Sequence, residues 1–200
     1  LDMLTNATVA DVLRPYEKRY AGFYDAALIV CGSLVIGLCA QAAVVLPFSP
    51  VPVTGQTFAV LMIGALLGAR RGGLCVLAYL TEGMIGLPVF ALARAGWPVM
   101  LGPTGGYLIG FIAAAYITGS LAEMGWDRRV GTTVLAMALG NAAIYAFGLL
   151  WLACLMGISR TVLVAGLYPF IVGDILKITL AAVLLPSGWK LLKMANLHKN

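Results

Sequence analysis

Tyr168-Pro169-Phe170-Ile171-Val172-Gly173-Asp174-Ile175-Leu176-Lys177 opens the last long apolar run of the chain and places two ionisable residues at its head. Ionisable residues inside a lipid-spanning run are functional suspects, because charge is costly in hydrocarbon. Spaced three positions apart, Asp174 and Lys177 project from one helical face. Each can then lower the other's desolvation cost while both stay available to a polar ligand. The plainer alternative is an intramembrane ion pair that only locks two helices together. Pro169 sets the register. A helix starting near Thr161 would hold proline mid-helix and lose a backbone hydrogen bond in lipid, whereas a start at Pro169 puts it in the first turn, where its missing N–H is harmless. The spacing predicts a span over Phe170–Trp189, with Asp174 in the second turn, about 6–8 Å along the helix.

The rest of the chain fits this reading. Of its 200 residues 62% are hydrophobic and 10% charged, with a mean hydropathy of +0.97, whereas about a quarter of a soluble protein is charged. The expected fold is an all-α polytopic membrane bundle. At about 20 apolar residues per span plus short connections, the length accommodates about six helices. The predicted spans are Ala26–Leu46, Gln56–Ala69, Gly72–Leu87, Gly105–Ala122, Val130–Met156 and Phe170–Trp189. Residues 1–25 are expected to form a cytoplasmic N-terminal segment, 26–190 the six-helix domain and 191–200 a cytoplasmic tail. Within the first segment, Thr8–Tyr20 could lie on the membrane as a short amphipathic helix interrupted at Pro15, with Arg14, Lys18 and Arg19 facing the headgroups. The first span is expected to be retained as its own insertion signal, since Leu1–Tyr24 is polar and mixed in charge. No internal repeat is visible, which leaves an inverted-repeat transporter without support.

Ten of the thirteen Lys and Arg residues fall in the connections of one side: Arg14, Lys18, Arg19, Arg70, Arg71, Arg128, Arg129, Lys190, Lys193 and Lys199. The opposite side receives Arg94 and Arg160. By the positive-inside bias, both termini are expected in the cytoplasm, and Asp174 then lies just beneath the outward connections. The net charge of +5 does not indicate a nucleic-acid partner, because the basic residues stand in pairs between apolar runs. Cys31, Cys39, Cys75 and Cys154 sit inside apolar runs as small filler, and the lone His198 is in the tail, so no metal-ligand set is evident. There is no phosphate-binding glycine loop with lysine and no nucleophile–base–carboxylate set. Neither enzymatic activity nor a resident cofactor is expected, and any energy source must come from elsewhere.

Three outward stretches have notable backbone chemistry. Pro50-Val51-Pro52-Val53-Thr54-Gly55-Gln56-Thr57 is stiff until Gly55 and then offers Thr54, Gln56 and Thr57 at a helix start; a simple cap explains one hydroxyl but not Gln56 as well. Gly86-Leu87-Pro88-Val89-Phe90 ends the third span, and Gly102-Pro103-Thr104-Gly105-Gly106-Tyr107 opens the fourth. These glycines permit turns or close backbone approach, and Thr104 could equally be only an N-cap. Gln41, Glu82, Asn141, Tyr145 and Thr179 are the other polar positions within spans. Asn141 and Tyr145, four apart, could form the second wall of a cavity, or Asn141 could serve only interhelical hydrogen bonding. Ala27 with Cys31 and Ser33 with Gly37 form a small-residue groove suited to close packing, internal or with a partner.

The ordered set of these stretches, from Pro50–Phe58 through Gly86–Phe90 and Gly102–Tyr107 to Gly173-Asp174-Ile175-Leu176-Lys177, resembles the BioY family of biotin-binding S components of energy-coupling factor (ECF) vitamin transporters of prokaryotes. Members often have proline two before the aspartate, where this chain has Val172. The resemblance implies a six-helix S component in the prokaryotic cell membrane. It would capture biotin from outside and work with a membrane coupling subunit and two cytoplasmic ATPases. It also implies that Asp174 and Lys177 lie at the ligand. Biotin offers an apolar bicyclic body, a ureido group and a carboxylate. Asp174 could accept from a ureido N–H and Lys177 could serve an acceptor, with Asn141, Gln56 and Thr54 completing the polar set. Phe90, Tyr107, Tyr145 and Trp151 are candidates to cover the rings, Arg94 is a candidate for the carboxylate, and Ala27 with Cys31 for docking the coupling subunit. The competing reading is a stand-alone secondary transporter or small channel for an organic solute, for which Glu82 is the only spare carboxylate.

Overall fold

The computed structural model describes residues 7–15 and 18–197, and its elements follow the apolar runs. Thr8 caps a single turn, α1 (Val9–Val12): its hydroxyl accepts from the Asp11 amide while the Asp11 carboxylate accepts from the Thr8 amide, a reciprocal capping box. The helix expected over Thr8–Tyr20 is confined to that turn. Lys18–Tyr20 instead begin α2 (Lys18–Gln41), so the first long helix starts eight positions earlier than the predicted span and ends five positions earlier. The side chains of Lys18 and Arg19 lie outside the described residues, as do His198 and Lys199 of the tail.

The next pieces are α3 (Gln56–Leu67), α4 (Ala69–Met84), the five-residue α5 (Trp97–Leu101), α6 (Gly105–Glu123) and α7 (Val130–Met156). A short α8 (Arg160–Gly166) precedes α9 (Tyr168–Leu197), and Pro169 falls in the first turn of α9 as its chemistry requires. The last helix continues to Leu197, into the residues expected as a tail, with Pro186 inside it. One feature lies outside an all-helical expectation. Ala43–Val44 (β1) pairs antiparallel with Val53–Thr54 (β2), because the chain between two helices still has to satisfy its backbone N–H and C=O groups.

Four helical stretches are long and apolar enough to cross a membrane: Tyr20–Gln41, Gly105–Glu123, Val130–Met156 and Arg160–Met194. Their outward faces expose Leu38, Leu150, Val172 and Leu176, the pattern of helices surrounded by lipid rather than water. The core is built on α6, which packs on α3, α4 and α7. Small residues allow these crossings: a Cβ on Gly72 would stand 2.9 Å from the Gly64 backbone, and one on Gly64 would run into the Ala115 backbone at 2.6 Å.

The antiparallel succession of helices collects two different ends. At one, Arg71 joins Asp11 at 2.7 Å and Asp25 at 2.8 Å, and Arg14 joins Asp25 at 2.6 Å, which ties α1 to α2 and α4. Asp127 and Arg128, in the turn between α6 and α7, meet Trp189 of α9 at the same end. The opposite end gathers the β1–β2 hairpin, the segment 85–104, and the start of α9.

Candidate functional site

Pro50, Pro52 and Gly55 deliver the chain into α3 in a bent, extended course. Gly55 is required there because a Cβ would stand 2.9 Å from the Cys39 carbonyl, while its own amide donates to Ala42 at 3.0 Å. Thr54 then acts on both sides of the helix start. Its hydroxyl accepts from the Gln56 amide at 3.3 Å and donates to the Gln56 side-chain carbonyl at 3.0 Å. The Gln56 amide nitrogen in turn donates to the phenol oxygen of Tyr79 on α4. Gln56 is only 4% exposed, so this chain of bonds fixes its orientation and meets the cost of burying an amide.

From the other side, the first turns of α9 bring Asp174 and Lys177 to the same place. The Lys177 ammonium donates to the Thr54 carbonyl at 2.9 Å, the Thr57 hydroxyl at 2.8 Å and the Asp174 carboxylate at 3.4 Å. Its three protons are thereby directed. The other Asp174 oxygen accepts from the Tyr145 hydroxyl of α7. The carboxylate, 6% exposed, therefore holds a cation and a phenol in fixed positions.

These groups edge a cavity whose walls are apolar: Phe90, Val99, Leu108, Phe111, Ile144 and Phe170. Thr54, Gln56, Thr57, Tyr145, Arg94 and Lys177 supply its polar spots. Phe170 lies 6.2 Å from the Tyr107 ring and 6.5 Å from that of Tyr145, measured between centroids. Phe90 is buried in a notch left by Gly83, where any Cβ would collide with the ring, and it meets Tyr79 edge-on at 5.5 Å. Tyr107 contributes its ring to the wall while its hydroxyl donates to the Gly166 carbonyl at 2.8 Å, joining α6 to the end of α8. An apolar vessel with a few oriented polar groups is the arrangement of a small-molecule binding site.

Seven of the residues singled out in the sequence therefore share the cavity wall: Thr54, Gln56, Phe90, Arg94, Tyr107, Tyr145 and Lys177. Asp174 stands behind Tyr145 and Lys177 rather than on the lining. Trp151 lies outside the lining as well; its indole donates to the Gly102 carbonyl at 2.9 Å and its Cβ fills the space beside Gly106. Asn141 is 5% exposed, one turn before Tyr145, and its side-chain oxygen has no hydrogen-bond partner in the protein. Ala27 and Cys31 are on α2, the first half-buried and the second exposed.

Sequence reasoning noted Thr57 at the helix start but left it out of the ligand set, and it missed Tyr79, which holds Gln56 from behind the lining. Thr57 had a usable signal, being adjacent to Gln56 at the same helix start. Tyr79 had none, because only the crossing of α3 and α4 brings its phenol to Gln56. No group of three or more His, Cys, Asp or Glu side chains suited to a metal ion occurs among the described residues.

Residues 13–194 match the BioY family profile. This chain belongs to the BioY family. Similar BioY-family proteins include the biotin transporter BioY of Rhizobium etli, 38% identical over 76% of this chain and 85% of the relative. Another is the biotin transporter BioY of Thermotoga maritima, 36% identical over 78% of this chain and 92% of that protein. The fold is similar to a crystal structure of the S-component for biotin from an ECF-type ABC transporter. The TM-score is 0.74 and the identity 25%, covering 88% of this chain and 95% of the other. BioY membership thus rests on nearly the whole bundle, the cavity end included.

Proposed function

We propose that this BioY-family protein captures biotin at the outer face of a prokaryotic cell membrane and carries its uptake as the substrate-specific S component of an ECF transporter. The observation that supports it most is the Tyr145–Asp174–Lys177 group at the edge of an apolar, aromatic cavity. The fused rings of biotin suit the aromatic walls. Its ureido oxygen can replace one of the present acceptors of the Lys177 ammonium, and a ureido N–H finds an acceptor in the Tyr145 oxygen, whose hydroxyl is held by Asp174 behind it. Gln56 and Thr54 complete the polar rim and Arg94 attracts the carboxylate, while Asn141, buried one turn before Tyr145, lies off the lining with its side-chain oxygen unpartnered in the protein.

In this reading α2, α3, α4, α6, α7 and α9 are six spans, both termini are cytoplasmic, and the end holding Arg14, Arg70, Arg71 and Arg128 faces inward, following the positive-residue bias. The chain catalyses no reaction and needs no cofactor of its own. ATP is hydrolysed by two cytoplasmic ATPase subunits, linked through a membrane coupling subunit that docks on α2 near Ala27 and Cys31, where a small-residue surface lets another helix approach. No nucleic acid is involved.

Biotin titration of the purified protein in detergent tests the ligand, with saturable binding that Asp174→Ala abolishes as the expected result. Unchanged affinity in that variant would remove Asp174 from the site. Uptake by cells that contain or lack the ATPase module, with either ATP depleted or the proton gradient collapsed, tests the transport class. Uptake that follows the proton gradient alone would make the protein a secondary transporter.

A further inference from the structure

Gln41, the last residue of α2, does not line the cavity, yet its side chain is bonded to the segment that does. Its oxygen accepts from the Ala93 amide at 2.9 Å, and its nitrogen donates to the Phe90 carbonyl at 3.2 Å and to Gly37 of its own helix at 3.0 Å. One turn earlier, a Cβ on Gly37 would press on Val89 at 3.3 Å, so α2 lies directly against this segment. The segment bends sharply. Leu92 (φ 62°, ψ 35°) and Ala93 (φ 54°) both adopt the left-handed conformation, which is unfavourable for side chains other than glycine, asparagine and aspartate. The bend is closed by the Phe90 amide on the Arg94 carbonyl at 3.1 Å, and it turns Phe90, Ala91 and Arg94 into the cavity. A strained backbone persists only where its surroundings over-determine it. Here the fixed points are the Phe90 ring in the Gly83 notch and the Gln41 amide.

We infer that Gln41 is a positioning residue for the binding site: its amide clamps the strained Phe90–Arg94 bend to the end of α2 and so holds Phe90 and Arg94 in their binding geometry. The inference builds on the biotin-binding reading given above, and it makes the α2 terminus the control point of the cavity mouth. Without the clamp the bend relaxes toward ordinary backbone angles, and bound ligand escapes by the route that opens.

The test compares wild type, Gln41→Leu, Gln41→Glu and the double variant Gln41→Leu with Ala93→Gly, all purified in detergent. Gln41→Leu is expected to raise the biotin Kd about tenfold, mainly through faster dissociation. Gln41→Glu, which keeps the acceptor for Ala93 but loses the donors, falls in between. Ala93→Gly removes part of the strain and recovers part of the loss. Amide hydrogen exchange measured without ligand should quicken over residues 89–96 in Gln41→Leu and stay unchanged in α6 and α7. Wild-type affinity in Gln41→Leu, or faster exchange through the whole bundle, would overturn the clamp. If Gln41→Leu does not fold, Gln41→Glu decides by the same two measurements. Failure of the wild type to bind biotin would instead strike the functional reading, and the exchange comparison would still decide the clamp.

Discussion

The Lys177 ammonium donates to the Thr57 hydroxyl at 2.8 Å, joining two residues 120 positions apart in the chain. Through this bond the last helix reads the start of α3, and the Lys177 cation is aimed by a neutral hydroxyl and the backbone as well as by its own carboxylate. Thr57→Val keeps the shape and removes the acceptor. The expected result is a biotin Kd about 10- to 150-fold higher, the range for one hydrogen bond to a charged group. Calorimetric titration measures it, and Thr57→Ser should restore most of the affinity.

The Gly83 notch predicts a steric effect. Gly83→Ala places a methyl group where the Phe90 ring lies, so the ring must leave the wall or the helix must shift. Overpacking of this kind costs about 1–3 kcal/mol. A lower unfolding temperature in detergent together with weaker biotin binding is expected, whereas Gly73→Ala on the same helix, with open space around its Cβ position, should leave both unchanged.

Two carboxylates at the basic end predict opposite responses to pH. Burial pushes Asp127 above the ordinary carboxylate range, against the lowering influence of the Trp189 N–H and Arg128. Its folded state therefore binds the proton more tightly than the unfolded chain, and its contribution to stability is lost as pH rises through the raised value. Burial also raises Asp11, but hydrogen bonds from Arg71 and Thr8 outweigh it and hold the group below its ordinary value of 3.8. That contribution is present above the ordinary value and is lost as pH falls through the lowered one. In thermal melts across the acid range, Asp127→Asn should remove a component that declines with rising pH, and Asp11→Asn one that declines with falling pH.

If α2 carries the docking face, Ala27→Phe or Cys31→Phe should leave the biotin Kd of the isolated protein unchanged while reducing ATP-dependent uptake by about tenfold or more, as a bulky group does in a small-residue helix interface. Uptake equal to wild type in both variants would move the coupling surface to another helix.

Much of the fold was legible because hydrocarbon makes local demands. Val130–Met156 follows from an apolar run between a basic pair and a glycine, and Pro169 marks the start of the last helix by what proline cannot do. The early start of α2 was hidden, since Lys18–Asp25 look polar until Asp25 is paired with Arg14 and Arg71. The candidate cavity was legible where polarity stood out against an apolar run, as at Gln56 and Lys177, with Asp174 just behind its wall. Trp151 could not be kept off the wall by sequence, because its place depends on Gly106 of another helix. Gln41 was visible as a polar residue in a span, but its partners at 90 and 93 depend on a bend that no local pattern announces.

At 12 residues, α3 extends only about 18 Å, against about 30 Å of hydrocarbon in a bilayer. With both termini cytoplasmic as proposed, the chain that feeds α3 descends below the outer surface, and the β1–β2 ladder pairs part of its extended backbone at that depth. In the proposed orientation, a solute lying against Gln56 has already passed part of the membrane before the proposed coupling subunit acts. Under the proposed ATP-driven uptake, the distance left for the powered step is then shorter than the bilayer itself.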